Sequence, residues 1–316
     1  MKTSNINRRE FLTHSLTLAT AAATGCVSLD KSPGGIIDTH THFYDPTRPE
    51  GVDWPGKDDT VLYRKVMPEE FKRIAVPTGI TGTVVVEASP RVADNQWVLD
   101  LAAREPFLIG IVGHLKPGRP GFADDLARFA SNKRFKGIRI GGWDVPVDSA
   151  REQFVADLRK LSERNLSLDV LGGPETLDRV ERVARAIPEL RIVINHCAGV
   201  RIDGGKPPEL WAEGIRGCAA HRNVFIKGSA MVEQTGRKAS EIPSDVAFYK
   251  PVLDTIWEAF GDERVIFGSN WPVSSRFAEL SQVVRLAKDY AASRGRKASA
   301  LYLSQNARRA YRLSPA

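Results

Sequence analysis

The sequence predicts an α/β fold, a single (β/α)₈ TIM barrel, on three observations. Eight short apolar runs recur after Gly34-Gly35, longer amphipathic stretches separate them, and polar residues with chemical potential gather at the carboxyl ends of the runs. Near-continuous apolar runs of this length suit strands buried on both faces, as in a parallel sheet. Strands alternating with helices leave a closed barrel or an open doubly wound sheet. The absence of Gly-x-Gly-x-x-Gly after the first run weakens a dinucleotide fold.

The first run is Ile36-Ile37-Asp38-Thr39-His40, apolar and then polar. A long segment rich in Pro, Gly and Asp follows, Asp45 to Val66, and in a barrel such a loop frames the substrate site. Thr83-Val84-Val85-Val86-Glu87 is the second run, rich in β-branched residues. Phe107 to Val112, Gly137 to Ile140, Leu166 to Leu171, Arg191 to Ile194, Val224 to Ile226 and Val265 to Phe267 complete the set. Between them, Asp94 to Arg104 places Trp97 and Leu101 on one helical face, and Ala150 to Glu163 repeats Phe154, Leu158 and Leu161. Pro174-Glu175 opens a helix through Arg185, and Ser244-Asp245 caps the segment running through Trp257 to Phe260. No internal repeat or low-complexity segment interrupts the pattern.

Residues 1–33 read as an address and residues 34–316 as the barrel domain. Asn7-Arg8-Arg9-Glu10-Phe11-Leu12 resembles a twin-arginine export signal. The apolar run Leu16 to Ala23 is shorter than the roughly 20 residues a membrane-spanning helix needs. Ala23-Thr24-Gly25-Cys26 resembles a lipobox, with Ala23 where leucine is usual. The expectation is therefore a periplasmic protein, with a lipid anchor at Cys26 or peptidase cleavage nearby. The formal net charge is +7; without the first 25 residues, 42 basic and 37 acidic residues remain, or +5. They are scattered, with no basic stripe interleaved with aromatics, so nucleic acid is excluded as the expected partner. Three cysteines with no Cys-x-x-Cys exclude a disulfide framework and a zinc knuckle.

Four of the 6 histidines fall at strand ends: His40, His42, His114 and His196. Glu87, Arg139, Lys227 and Asn270 share that placement, and barrel topology brings such ends to one mouth. In His40-x-His42 the two-residue spacing puts both imidazoles on one side of the strand, where they bind a transition metal or polarise a carbonyl. Arg139 is suited to clamp a carboxylate. Cys197 reads as a packing residue.

These motifs together resemble the amidohydrolase superfamily, in particular its amidohydrolase-2 branch of lactone-processing enzymes. The matching segments are Ile37-Asp38-Thr39-His40-Thr41-His42-Phe43, Val85-Val86-Glu87-Ala88, Gly137-Ile138-Arg139, Ile192-Val193-Ile194-Asn195-His196 and Asn223-Val224-Phe225-Ile226-Lys227. Arg264 to Val273, containing Gly268-Ser269-Asn270-Trp271-Pro272, and Asn306 to Tyr311 extend the resemblance to the C-terminus.

Two departures qualify what the resemblance implies. Arg139 stands where binuclear members place a bridging lysine, which argues against a two-metal site. Asn270 stands where most relatives carry the aspartate that activates water, and an amide cannot take up that proton. The reading is an exported hydrolase acting on a sugar-acid lactone. His40, His42 and His196, with or without one divalent ion such as zinc, polarise the carbonyl. Glu87 or His114 moves protons, Arg139, Lys227 and His114 contact the substrate, Asn270 orients it, and Trp271 shapes the floor. The alternatives are a lactone isomerase, a metal-dependent decarboxylase and a non-catalytic glycan-binding barrel.

Overall fold

The computed structural model describes residues 35–147 and 151–314. The expected leader and Cys26 lie outside the described residues.

Eight parallel strands follow one another around a single sheet in sequence order. They are β1 (Ile36–Thr41), β2 (Ile80–Val86), β3 (Leu108–Gly113), β4 (Phe135–Gly141), β5 (Ser167–Leu171), β6 (Arg191–Ile194), β7 (Val224–Gly228) and β8 (Val265–Phe267). The first and last strands meet through a parallel bridge between Thr41 and Trp271. Two further bonds tie that seam: His42 N–H donates to Trp271 O at 2.9 Å, and Thr39 Oγ1 donates to Phe267 O at 2.6 Å. The barrel expected from the alternation of runs is thus present, with all eight strands in order.

Helices α1 (Pro68–Ala75), α2 (Asp94–Arg104), α3 (Phe122–Ala130), α4 (Arg151–Glu163), α5 (Leu177–Ala186), α6 (Glu209–Ala219), α7 (Lys250–Phe260) and α8 (Leu280–Ser293) alternate with the strands. Each of those with described side chains buries one apolar face. On α5, Leu177, Val180, Val183 and Ala184 recur at helical spacing against the sheet while its arginines face out. Asp245 caps a short 3₁₀ turn, Val246–Phe248, by accepting from Ala247 N–H, and α7 begins four residues later than the cap suggests.

The chain ends by closing the bottom of the barrel. After α9 (Arg296–Ala300) and a π-helical turn, Leu301–Gln305, α10 (Asn306–Tyr311) packs Ala307, Ala310 and Tyr311 against the inward residues Ile37, Val84, Val86, Val112, Val193, Phe225 and Ile266. This apolar floor leaves the other end of the barrel for chemistry. At that end, the Asp45 to Val66 loop is tied at its base by paired backbone bonds between Tyr44 and Val66. It is latched to the start of α2 by an Arg48–Asp94 ion pair at 2.8 Å.

Candidate active site

Strand β1 aims the first two histidines. Its register against β2 shifts between Asp38 and Thr41, and this irregularity lets Ile37 enter the lower core while His40, three residues on, also faces the barrel interior. Asp38 holds the bend. Its Oδ1 accepts from the backbone N–H groups of His40 (3.0 Å) and Ser269 (2.8 Å), and burial raises its pKa to about 6.

His196 arrives from the end of β6 on an unusual backbone. His196, Cys197, Ala198 and Gly199 all take positive φ, between 53° and 63°. Non-glycine residues in this region cost about 1–3 kcal/mol each and persist where surrounding structure imposes them. Here Trp211 Nε1 donates to Cys197 O at 2.9 Å, and Cys197 Sγ is buried, its pKa pushed up to about 12 by burial. That thiol packs and is not nucleophilic, as the sequence indicated.

The three rings converge. His40 lies 4.3 Å from His196 and 5.0 Å from His42, centroid to centroid. His42 and His196 line a cavity of about 420 Å³ shared with Glu87, His114, Arg139 and Asn270. His40 lies beneath, fully buried. Burial first, then the positive charges of Lys227 and Arg139, keeps the imidazoles neutral: His40 and His196 lie well below the ordinary 6.5, and His42 falls to about 3.

Their outer nitrogens are anchored differently, and this sets what each inner nitrogen offers. His42 Nδ1 meets the carbonyl of Val86 at 2.9 Å. A carbonyl only accepts, so Nδ1 carries the proton and Nε2 presents a lone pair. His40 Nδ1 sits 3.1 Å from Lys227 Nζ, whose other contacts are Asp169 Oδ2 at 2.7 Å and Thr39 O at 2.9 Å. Three N–H groups thus meet three acceptors. His40 Nδ1 accepts, and the neutral ring carries its proton on Nε2, a buried atom with no partner in the protein. His196 Nδ1 shares a hydrogen bond with Ser229 Oγ at 3.0 Å, where either group can donate.

The expectation that His40, His42 and His196 hold a divalent ion meets a mixed set of ring nitrogens here, because Lys227 donates to His40 Nδ1. A metal ligand must turn a lone pair to the cation, and His40 turns an N–H. Among the described residues no group of three or more His, Cys, Asp or Glu side chains is placed to hold a metal ion. The rings form a mixed donor and acceptor set.

Two expectations are corrected. Lys227 does not contact substrate at the mouth: β7 runs on to Gly228, so Lys227 follows Phe225 inward and is fully buried in the ion pair with Asp169. Trp271 is not a wall of the cavity. Its ring packs 5.0 Å from Phe71 and 6.0 Å from Phe43 in the core.

Glu87, Arg139, His114 and Asn270 do reach the cavity. Arg139 Nε donates to Glu87 Oε1 at 2.8 Å and its Nη2 to Glu87 O at 2.8 Å, so the two form one rigid unit. His114 is fixed by its backbone, whose N–H and C=O both pair with the Asn95 amide. Its Nε2 is buried without a partner, and burial lowers its pKa. Asn270, at φ 61°, donates from Nδ2 to Glu233 Oε1 at 2.9 Å. Glu233, unmarked in the sequence, is raised to about 7 by burial. Trp54 was also missed; it lines the cavity with its ring 5.6 Å from His42. Asp169 was foreshadowed by its place as the one charged residue inside the run Leu166 to Leu171.

The buried groups make stability pH-dependent in opposite senses. His42 protonates near 6.5 when unfolded and near 3 in the fold, so its contribution is present above pH 6.5 and is lost as pH falls through that window. Glu233, raised from 4.5 to about 7, contributes stability below pH 4.5 that is lost as pH rises to about 7. His42→Asn is expected to flatten the decline in urea midpoint between pH 6 and pH 4. An unchanged slope would remove His42 from this account.

Comparison with known proteins adds relatives to this geometry. A family model described as amidohydrolase matches residues 37–313. An L-fucono-1,5-lactonase of Burkholderia ambifaria is 31% identical over 240 residues, covering 75% of this chain and 80% of that protein. An L-fucono-1,5-lactonase of Burkholderia multivorans is 26% identical over 274 residues, covering 82% and 89%. Among solved structures, an amidohydrolase from Burkholderia multivorans with bound Zn superposes with a TM-score of 0.77 at 23% identity, covering 88% of this chain and 99% of that one. A probable 2-pyrone-4,6-dicarboxylic acid hydrolase from Acinetobacter baumannii, with citric acid bound, gives 0.70 at 16% identity, covering 88% and 100%. The two structural likenesses show the fold.

Proposed function

The chain belongs to the amidohydrolase family, as a hydrolase built on its barrel, and from that premise we propose that it opens the ring of a sugar-acid 1,5-lactone. The lactonase relatives support the substrate class. The observation that carries the chemistry is the convergence of three neutral imidazoles of unlike polarity, His42 and His196 lining one cavity and His40 packed directly beneath them.

His196 at the cavity wall receives the carbonyl oxygen and, with the His40 Nε2–H directly beneath, stabilises the oxyanion that forms when C1 is attacked. His42 Nε2 takes the proton of the attacking oxygen and returns it to the ring oxygen as the C1–O bond breaks, which leaves the open acid. Its low basicity in the free site rises once an oxyanion lies beside it, because opposite charge favours the imidazolium. Arg139, held by Glu87, meets a carboxylate or hydroxyl of the substrate, and Trp54 offers a ring face. A divalent ion, as bound in the Burkholderia multivorans structure, would be held by His42 and His196 with His40 beneath them and would supply the same polarisation of the carbonyl; the steps above use the chain's own residues.

Asn270 favours a second reading, isomerisation, in which a substrate hydroxyl rather than water attacks the carbonyl. With Nδ2 committed to Glu233, its Oδ1 is left to accept from the nucleophile and can orient it without deprotonating it. Product partition tests both readings. Asn270→Asp alone sets a second carboxylate against Glu233, and one of the pair stays protonated. Asn270→Asp combined with Glu233→Gln removes that conflict. NMR of the products is expected to show the fraction of ring-opened acid rising more in the double variant than in the single one. An unchanged partition in both would take Asn270 out of the mechanism.

Export through the twin-arginine route to the periplasm, with lipidation at Cys26, is proposed on the N-terminal motif alone. Fractionation of cells making the intact chain, its Arg8→Lys, Arg9→Lys form and its Cys26→Ala form tests both parts.

A further inference from the structure

The histidine cavity is not the only opening at this end of the barrel. A second basin of about 830 Å³ lies on the far side of His114 and Pro90, residues that line both. Its walls carry Trp143, Lys116, Arg119 and Asp144. Trp143 is 59% exposed, the one aromatic among the exposed large apolar side chains of the described residues. It is also held still. Arg179 lies with its guanidinium 4.7 Å from the ring centroid and donates to the carbonyls of Trp143 and Val145. The short turn bearing Trp143 is fixed in turn by Asp144 Oδ2, which accepts from Gly141 N–H at 2.8 Å. Between the basins stands His114, whose buried Nε2 has no partner in the protein.

A fixed aromatic plate with cations and a carboxylate beside it is suited to a flat, hydroxylated ring. Apolar faces of such a ring stack on indole, while Lys116, Arg119 and Asp144 meet its edge. We propose that this basin is a second ring subsite and that the substrate is the lactone of a disaccharide acid. The lactone ring sits at His40, His42 and His196, the glycosidic link passes His114, and the second pyranose lies on Trp143. This rests on the lactonase reading for its first ring only.

Binding by titration calorimetry tests the subsite without requiring turnover. The probes are lactobionic acid, a galactosyl gluconic acid, and gluconic acid itself. The wild-type protein is expected to bind lactobionate at least about tenfold more tightly than gluconate. Trp143→Ala is expected to erase that difference and leave gluconate binding unchanged, and Trp143→Tyr to retain part of it. Trp143 is at the surface, so thermal unfolding of the variants should match the wild type. Equal affinities for the two acids, no measurable binding of lactobionate, or an equal loss for both acids in Trp143→Ala overturns the proposal. Failure of the lactonase reading looks different: the preference for lactobionate stands, but no lactone is opened.

Discussion

Replacing Lys227 with methionine is expected to lower the free energy of unfolding by about 3–5 kcal/mol, the cost of removing one partner from a buried ion pair. Lys227 and Asp169 are both fully buried, and their 2.7 Å contact is one rung of a ladder through the barrel. Tyr311 on the closing helix donates to Asp169, Asp169 accepts from Lys227, and Lys227 donates to His40. Methionine fills similar space but leaves the Asp169 carboxylate with Tyr311 and the Asn195 amide as its remaining donors. The same change removes the donor that fixes His40, so Nδ1 and Nε2 become equivalent places for its proton. A second variant separates the effects. Lys227→Met with Asp169→Leu removes the stranded charge and is expected to recover most of the stability, yet activity stays low because His40 is no longer held in one tautomer. Urea denaturation and lactone turnover on both variants check this. A loss below about 1 kcal/mol in the single variant, or full activity in the double one, would contradict the ladder.

His40→Ala carries the largest expected kinetic effect. Removing one preorganised donor to an oxyanion costs about 10²–10³ in kcat, and His40 lies below the cavity floor, so KM should change little. The structural cost is held down by the dense surroundings, and comparison with His40→Gln guards against misreading a folding defect. A glutamine amide can donate where Nε2–H does, so that variant is expected to keep more of the rate. Equal loss of kcat and KM effects in both variants would place His40 in binding rather than in transition-state stabilisation.

Much of this was readable from the chain because parallel strands are buried on both faces and leave near-continuous apolar runs. Strands β6 and β8 have the bounds their runs suggest, and the polar residues following β1, β2, β3, β6 and β8 meet at one mouth with Arg139 from within β4. The errors arose where one residue of extension or one dihedral angle decides direction. Strand β7 continues through Lys227 to Gly228, and the inward file of Phe225 and Lys227 carries the lysine beneath the histidines. The positive φ of Asn270 turns that side chain into the cavity and sends the next ring, Trp271, into the core against Phe71. Trp54 and Glu233 sit on loops, where no periodicity marks which side chains return to the site. The polarity of the histidines was not readable at all, since it depends on Val86 O, Lys227 and Ser229, three partners distant in sequence.

That polarity is the core of the proposal: His40 is set to give a hydrogen bond and His42 to accept a proton, with no cation required between them. The most direct test is turnover of a panel of sugar-acid 1,5-lactones after dialysis against a chelator, with metal content checked by elemental analysis and products followed by NMR. The expected result is a rate unchanged by metal removal and lowered about 10²–10³-fold in His40→Ala. A metal-free protein that is inert, and that regains turnover on addition of zinc, would show that the imidazoles act as ligands and would contradict the account.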